Sequence, residues 1–268
     1  MQALLNKTAL ITGASRGLGR EIALAFSRAG ADLALCARHA FDCAGATTKV
    51  TTHVADLSDV QACAPLIDAV LSAHGKIDIL VNNAAIQGPI GSLETVRFAE
   101  WQSVFNVNLF APARLCQLVI PRMQQTGGKI INLSGGGAAT PRPHVSAYGS
   151  SKCALVRLTE TLAIELKSAR IDVNAVAPGP MNTRMLDEVL EAGRSAVPLE
   201  FDAAEKRKRE GGAPLEKAAE LVTFLASPAS DGITGRLISA VWDEWKSLAR
   251  RRDEIEGTDL YTLRRVVK

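Results

Sequence analysis

Short apolar segments rich in Val, Ile and Leu alternate with helical patterns along most of the chain. The sequence predicts strands at residues 8–11, 33–36, 50–54, 77–81, 129–133, 171–177 and near 236–240. Helices are predicted at about 18–29, 58–73 (capped by Ser58), 99–124, 148–167 and 215–226, and a weakly patterned segment rich in Ala and Thr precedes the third strand. This alternation favours right-handed βαβ units, and continuously apolar strands are typical of parallel sheets. The expected fold class is therefore α/β, a single doubly wound parallel sheet with helices on both faces.

The composition argues against several classes of protein. The 268 residues carry a net charge of +3, with 47% hydrophobic and 22% charged residues. This is an ordinary globular balance, which excludes a disordered chain, a collagen-like chain and a disulfide scaffold. So small a charge gives no reason to expect nucleic acid or an anionic membrane as a partner. No uninterrupted apolar run approaches the ~20 residues needed to cross a bilayer.

Cysteine and histidine spacing points away from disulfides and metal sites. The five cysteines form no C-x-x-C pair, and the four histidines do not fall at metal-ligand spacing. Residues 1–17 lack the basic region of a signal peptide and run straight into a strand. We therefore expect reduced thiols, no metal and a cytoplasmic location.

A glycine-rich segment, residues 12–19, lies between the first predicted strand and the first helix. Glycines there let the backbone turn tightly and approach a pyrophosphate, while the helix N-terminus binds the anion. A glycine-rich turn without a ligand is the alternative, but the position at the first βα junction favours a dinucleotide site. The residues expected to contact the cofactor here are Gly13, Ser15, Arg16, Gly17, Leu18 and Gly19.

The pattern T-G-x-x-x-G-x-G resembles the fingerprint of the short-chain dehydrogenase/reductase family in its compact, single-domain, Rossmann-like form. Other matches follow in order over about residues 7–240: an acidic residue for the adenine ring in VADLSD, NNAA with Ala85 in place of a glycine, the loop PG with Thr183, and ITG before the last strand. Outside the glycine loop, the cofactor-binding residues that the resemblance implies are Arg38, Asp56, Leu57, Asn83, Ala84, Tyr148, Lys152, Pro178, Gly179 and Thr183.

The catalytic residues that the resemblance implies are Asn108, Tyr148 and Lys152. A free tyrosine has a pKa near 10, so it is a reluctant base at neutral pH. Residues four apart share a helix face, so Lys152 can place its cation, with that of the nicotinamide ring, beside the Tyr148 phenol and lower its pKa. The resemblance also implies that Lys152 binds the nicotinamide ribose and that Asn108 holds the local helix geometry and a water. Taken alone, Y-x-x-x-K is a common string that fits an ordinary helix tyrosine and a surface lysine.

The sequence departs from the family at one active-site position. The family usually has a serine thirteen residues before the tyrosine, where it binds the substrate oxygen, and this chain has Gly135 there. Ser134 is one residue early, so on an extended segment it would face the opposite side. The run 135–137 of three glycines could re-aim Ser134. Alternatively, Tyr148 acts alone, or a substrate hydroxyl or another side chain supplies the hydrogen bond.

The end of the second predicted strand indicates which nicotinamide cofactor is preferred. An acidic residue would bind the ribose 2′-hydroxyl of NAD, but Cys36-Ala37-Arg38 contains none. Arg38, with Arg16 on the same side, suits a 2′-phosphate, since guanidinium–phosphate contacts are strong. Two solvated arginines are the alternative. The prediction is NADP(H) in preference to NAD(H).

The C-terminal part of the chain is the most variable relative to the family. The domain is predicted to span 1–240, with a substrate lid at about 184–212 and an extension at 241–268. The lid contains a charge run at 206–209, which fits either a solvated helix face or attraction of an anionic substrate. The extension holds Trp242, Trp245 and Tyr261, so it is expected to dock at a subunit interface or at a substrate mouth.

The expected function is an NADP(H)-dependent oxidoreductase that transfers a hydride between nicotinamide and a ketone or secondary alcohol, with Tyr148 as general acid/base. A polar substrate is a weaker hypothesis, based on Arg142, His144 and the lid charges. The family resemblance implies a homodimer or homotetramer through the helices of Asn108 and Tyr148. The alternative, motivated by Gly135, is a weak or inactive NADP(H)-binding sensor or scaffold on the same fold.

Overall fold

The computed structural model describes residues 2–265, and its centre is a seven-stranded parallel sheet. The spatial order is β3-β2-β1-β4-β5-β6-β7, which confirms the predicted fold class. The strands are β1 (Thr8–Thr12), β2 (Asp32–Ala37), β3 (Val50–Val54), β4 (Ile79–Asn82), β5 (Gly128–Leu133), β6 (Ile171–Ala177) and β7 (Leu237–Ser239).

Helices cover both faces of the sheet because its central strands are apolar on both sides. They are α1 (Gly17–Arg28), α2 (Cys63–His74), α3 (Phe98–Phe105), α4 (Ala111–Met123), α5 (Ser146–Glu165), α6 (Arg184–Ala192), α7 (Pro198–Glu210), α8 (Leu215–Ala226) and α9 (Arg252–Ile255). One large core cluster joins α1 and α8 to one face of the sheet, and a second joins α2, α4 and the end of α5 to the other.

One detail of the predicted helices was wrong. Ser58 does not cap the second helix; instead the Asp59 carboxylate accepts the N–H of Gln61, and α2 begins only at Cys63 after a short 3₁₀ turn. The single helix predicted over 99–124 is present from Phe98 to Met123, and it contains one π-helical turn, Asn106–Phe110, between α3 and α4. Such turns widen a helix locally and are common at functional sites.

The helix that runs from Phe98 to Met123 is long and apolar enough, by length and composition, to cross a membrane, although polar residues interrupt its apolar sequence. Its apolar side chains are partly accounted for by packing: Leu115, Cys116 and Val119 are buried in the core between α4, α2 and the sheet. A helix of this kind in a folded core satisfies the same test as a span.

The C-terminal segment folds back on its own domain. Trp245, Leu248 and Ile255 join the core cluster of α1 and α8. The N–H of Leu237 donates to the carbonyl of Tyr261 (2.7 Å), so the segment pairs with the free edge of β7. Residues 266–268 lie outside the described part of the chain.

The topology places the ends of β1, β4 and β5 at one edge of the sheet. β1 has β2 on one side and β4 on the other. The chain therefore leaves β1 toward one half of the sheet and leaves β4 toward the other half. Crevices at such a switch point bind ligands in doubly wound sheets. The glycine loop and the segments after β4 and β5 therefore meet there.

Candidate active site

The glycine loop after β1 leaves space for nothing larger than glycine at two positions. A Cβ on Gly19 would lie 2.3 Å from the Gly13 carbonyl oxygen. A Cβ on Gly13, whose φ is +66°, would lie 2.9 Å from the Ala84 Cα. Gly17 also has a positive φ, but no described atom lies within 4 Å of its missing Cβ. The loop is thus packed from below and open above, at the N-terminus of α1, where an anion is favoured.

Thr12 and Asn83 join this loop to the end of β4. The Thr12 Oγ1 accepts the backbone N–H groups of Asn83 and Ala84, each at 3.0 Å. The Asn83 amide donates to the carbonyls of Thr12 (2.9 Å) and Gly13 (3.2 Å). Asn83 and Ala84 therefore shape the floor of the cradle. The role of Thr12 was missed from the sequence, where it was only the first letter of the glycine motif.

Charged side chains surround the open side of the cradle. Arg16, at the start of α1, and Arg38, directly after β2, are both exposed. The Asp56 carboxylate accepts the N–H of Ser58 (2.9 Å); that hydrogen bond, with a smaller contribution from Arg38, lowers the pKa of Asp56. Leu57 beside it is buried. A cradle of backbone N–H groups flanked by two exposed guanidinium groups fits a phosphorylated dinucleotide.

Asn108 lies in the π-helical turn and is completely buried. Its Oδ1 accepts the N–H of Ile86 (2.9 Å), and its Nδ2 donates to the Ile86 carbonyl (3.0 Å) and to the Ser151 Oγ (3.1 Å). Ser151 in turn donates to the Tyr148 carbonyl (2.8 Å). Both amide hydrogens are therefore engaged by protein, and Asn108 ties the segment after β4 to α5. The link through Ser151 was not predicted.

Tyr148 and Lys152 lie one turn apart on α5, as the spacing requires, and both are buried. The Lys152 Nζ lies 5.7 Å from the centroid of the Tyr148 ring. However, it donates to the Leu133 carbonyl at the end of β5 (2.6 Å). The ammonium is thus fixed between the tyrosine ring and the sheet.

The ionisation of this pair differs from the sequence expectation. Burial raises the pKa of the Tyr148 phenol, and the charge that opposes this shift is the guanidinium of Arg142 rather than Lys152. Burial also lowers the pKa of Lys152 to about 7, so its charge is weakened near neutrality. The predicted effect of Lys152 is therefore not seen in the protein without cofactor, where burial is the largest influence on the phenol. The prediction included the cation of the nicotinamide ring, and it stays a prediction for the protein with bound cofactor.

The hydroxyl of Tyr148 occupies the space beside Gly135. A Cβ at Gly135 would lie 2.3 Å from the Tyr148 Oη. Ser134 does not replace the serine that Gly135 lacks. It is buried, its Oγ has no hydrogen-bond partner among the described residues, and it is not among the residues that line the cavity over Tyr148. The re-aiming of Ser134 that the glycine run could have allowed does not occur.

The glycine run makes room for Arg142. Its guanidinium lies 5.6 Å from the Tyr148 ring centroid, and its Nε and Nη2 donate to the two carboxylate oxygens of Glu200 on α7 (2.7 and 2.8 Å). A Cβ at Gly136 would lie 3.2 Å from the Arg142 Cδ. The sequence analysis identified Arg142 only as a polar residue, and its contact with Tyr148 could not be predicted because it depends on the fold.

A cavity of about 1020 Å³ opens above Tyr148. It is walled by the glycine run, by the loop after β6 that contains Pro178, Gly179 and Thr183, and by α6 and α7 of the predicted lid. Trp242 of the C-terminal extension also lines it and is 71% exposed, whereas Trp245 is buried against Phe224. The extension therefore contributes to the cavity wall as well as to the core.

The charge run of the lid divides between two environments. Three of its side chains are exposed on α7: Lys206, Lys208 and Arg209. Arg207 is half-buried and lines the cavity, where it interacts electrostatically with Glu200 and Arg142. Among residues 2–265, no group of three or more His, Cys, Asp or Glu side chains could hold a metal ion.

Comparison with known proteins agrees with this arrangement. The family model described as short chain dehydrogenase matches residues 7–193. The chain is 32% identical to 3-oxoacyl-(acyl-carrier-protein) reductase FabG of Thermotoga maritima, covering 88% of this chain and 96% of that protein. It is 35% identical to human dehydrogenase/reductase SDR family member 4, with coverages of 88% and 86%.

Solved structures show the same fold. A short-chain type dehydrogenase/reductase from Mycobacterium marinum aligns with a TM-score of 0.78 at 30% identity, over 89% of this chain and 95% of that one. The aldohexose dehydrogenase of Thermoplasma acidophilum aligns with a TM-score of 0.76 at 28% identity, over 88% and 92%. Members of this family use a nicotinamide cofactor, which the cradle described above fits. The chain is an oxidoreductase of the short-chain dehydrogenase/reductase family.

Proposed function

We propose that the protein is an NADP(H)-dependent oxidoreductase that interconverts a ketone and a secondary alcohol, with Tyr148 as the general acid/base. The observation that carries the proposal is the position of the Tyr148 hydroxyl. It lies beside Gly135 in the wall of a cavity at the carboxyl edge of the sheet, on a helix that Asn108 and Ser151 fix to the segment after β4.

The nicotinamide, when bound, supplies or accepts the hydride. In the direction of reduction, Tyr148 donates its phenolic proton from Oη to the substrate oxygen as that oxygen gains negative charge. Because burial raises the pKa of Tyr148, the phenol is protonated at neutral pH and is ready to act as the acid. Oxidation requires the phenolate instead, so this direction is expected to be favoured at alkaline pH.

The preference for NADP(H) is supported by Arg38 and Arg16, which are exposed on the open side of the cradle. An Arg38→Asp variant is expected to bind NADPH more weakly and NADH no more weakly than the wild type, since it removes a phosphate ligand and adds an acid. Titration of the two cofactors by fluorescence measures this. Equal loss of both cofactors would contradict the proposed preference.

The substrate class is proposed from the cavity and the relatives. The wall of the cavity combines apolar groups from the lid, such as Leu186 and Val189, with the polar side chains of Arg142 and Glu200. A relative at 32% identity is named a 3-oxoacyl reductase, and a structural neighbour is named an aldohexose dehydrogenase. A small to medium carbonyl compound fits this setting, and a sugar-like or anionic substrate is the variant that Arg142 would favour.

The test follows NADPH consumption with diacetyl, a reactive carbonyl probe, in the wild type and in Tyr148→Phe. Turnover in the wild type that is lost in the variant, with cofactor binding retained, is the expected result. Turnover that persists in Tyr148→Phe would refute the role of Tyr148. The sensor or scaffold alternative is not favoured by the comparisons, and it would require cofactor binding without turnover for a panel of carbonyls.

Association of the subunits and a cytoplasmic location belong to the same proposal. Phe98 and Phe110, on the helix that contains Asn108, are 64% and 50% exposed. Between them, Trp101 stacks on Phe98 and on Phe105, and the Phe105 ring is tilted against that of Phe110. Such a patch favours a homodimer or homotetramer. Light scattering of the wild type and of Phe98→Lys measures the association, and a monomeric wild type would contradict it. Detection of the tagged protein in fractionated cells tests the location.

A further inference from the structure

Gln87 is a buried amide in the cavity wall that the proposed mechanism leaves without a role. Its side chain is 3% exposed, and its Nε2 has no hydrogen-bond partner among residues 2–265. It lines the same cavity as Gly135 and Tyr148. Buried amide donors are nearly always paired, because desolvating an unpaired N–H is unfavourable. The Nε2 atom itself is covered by protein, but it belongs to a residue of the cavity wall, so a turn of the carboxamide can pair it with a ligand.

The backbone on both sides of Gln87 is held in place. Ile86, immediately before it, gives both its N–H and its carbonyl to the side chain of Asn108. Gly88, immediately after it, has a φ of +77°, and a Cβ there would lie 2.1 Å from the Val104 Cγ2. Gln87 is thus positioned by the same asparagine that is linked through Ser151 to Tyr148.

Two nearby polar groups are poorer candidates for contact with the substrate oxygen. The Arg142 guanidinium has two of its nitrogens engaged by Glu200, and its Nη1 lies 3.4 Å from the Gly136 carbonyl. Ser134 is also buried with an unpaired hydroxyl, but it does not line the cavity. Gln87 is unpaired and lines the cavity as well.

We propose that Gln87 is the second hydrogen-bond donor of the active site: a turn of its carboxamide brings Nε2, which is buried in the cavity wall, to the substrate oxygen, in place of the side chain that Gly135 lacks. This inference rests on the proposed function. During reduction, Gln87 stabilises the oxygen as it gains negative charge, and the proton still comes from Tyr148. No covalent bond is made to the glutamine.

The test compares Gln87→Met, which keeps the length of the side chain and removes its donor, with the wild type. We expect kcat with diacetyl and NADPH to fall by about 10²–10³-fold, as for removal of one oxyanion donor. NADPH affinity is expected to stay unchanged. The melting temperature of the cofactor-free protein is expected to stay the same or to rise, because an unsatisfied buried amide is removed. A merely structural glutamine would lower kcat and the melting temperature together.

Gln87→Glu is the second variant, since it keeps the shape but places an acceptor where the donor was. Ser134→Ala is the matched control, because it removes the other unpaired buried group from the same region, and its kcat is expected to match the wild type. If Gln87→Met and Gln87→Glu both retain wild-type kcat while Tyr148→Phe is inactive, the inference is overturned and the proposed function stands. If Tyr148→Phe remains active, or if the wild type turns over no carbonyl compound, both are overturned.

Discussion

Restoring a side chain at Gly135 is the change that most directly tests the geometry of the site. A Cβ there would lie 2.3 Å from the Tyr148 Oη, whereas ordinary contact begins near 3.4 Å. The hydroxyl must therefore move by about 1.1 Å in Gly135→Ala or Gly135→Ser. A misplacement of about 1 Å at a reacting group can cost on the order of 10²-fold in rate. We expect kcat to fall by about that factor in both variants, including the one that restores the usual serine of the family.

The assay is NADPH consumption with diacetyl at saturating cofactor, together with NADPH affinity to show that the cradle is intact. Gly136→Ala is the matched control, because the atoms nearest to its Cβ belong to the flexible Arg142 side chain, the first of them Cδ at 3.2 Å. Its kcat is expected to change little. A Gly135→Ser variant faster than the wild type would refute the reasoning. It would mean that Tyr148 yields easily and that the missing serine limits the rate.

Other changes give further tests. Arg142→Gln removes the charge that opposes the rise in the pKa of Tyr148, so the alkaline pH at which alcohol oxidation begins is expected to move higher. Glu200→Gln removes the carboxylate paired with Arg142, so that pH is expected to move lower. Profiles of kcat/KM against pH measure both, and shifts in the opposite directions would contradict the assignment. Asn108→Ala removes three hydrogen bonds, one of them buried and two partly buried, so it is expected to destabilise the fold by on the order of 1–3 kcal/mol per unsatisfied group. Urea unfolding measures this, and an unchanged midpoint would refute that role. Gly19→Ala would place a Cβ 2.3 Å from a backbone carbonyl of its own loop, so NADPH affinity is expected to be lost in a titration, and retained affinity would show that the loop can relax.

Much of the fold could be predicted from the sequence because its signals are local. Strand β6 was predicted with its bounds, Ile171–Ala177, and helix α8 with its bounds, Leu215–Ala226. In both, the spacing of apolar residues and the residues that end the helix or strand identify the element without information from distant parts of the chain. The first turn of α2 was misplaced because Ser58 and Asp59 both suit a cap, and local chemistry does not distinguish them.

The doubly wound parallel sheet, the glycine cradle at its first turn and the helical spacing of Tyr148 and Lys152 were predictable, because each depends on the period of apolar residues or on a short motif. The burial and the neighbours of the Tyr148 side chain follow from how distant segments pack. Its hydroxyl fills the space of the missing side chain at Gly135, Arg142 lies against its ring, and Lys152 is tied to the Leu133 carbonyl. Gln87 lies more than forty residues before these groups in the sequence and reaches the same cavity through the sheet order. A side chain loses water and gains neighbours when segments far apart in the chain pack together, so no local sequence pattern predicts these effects.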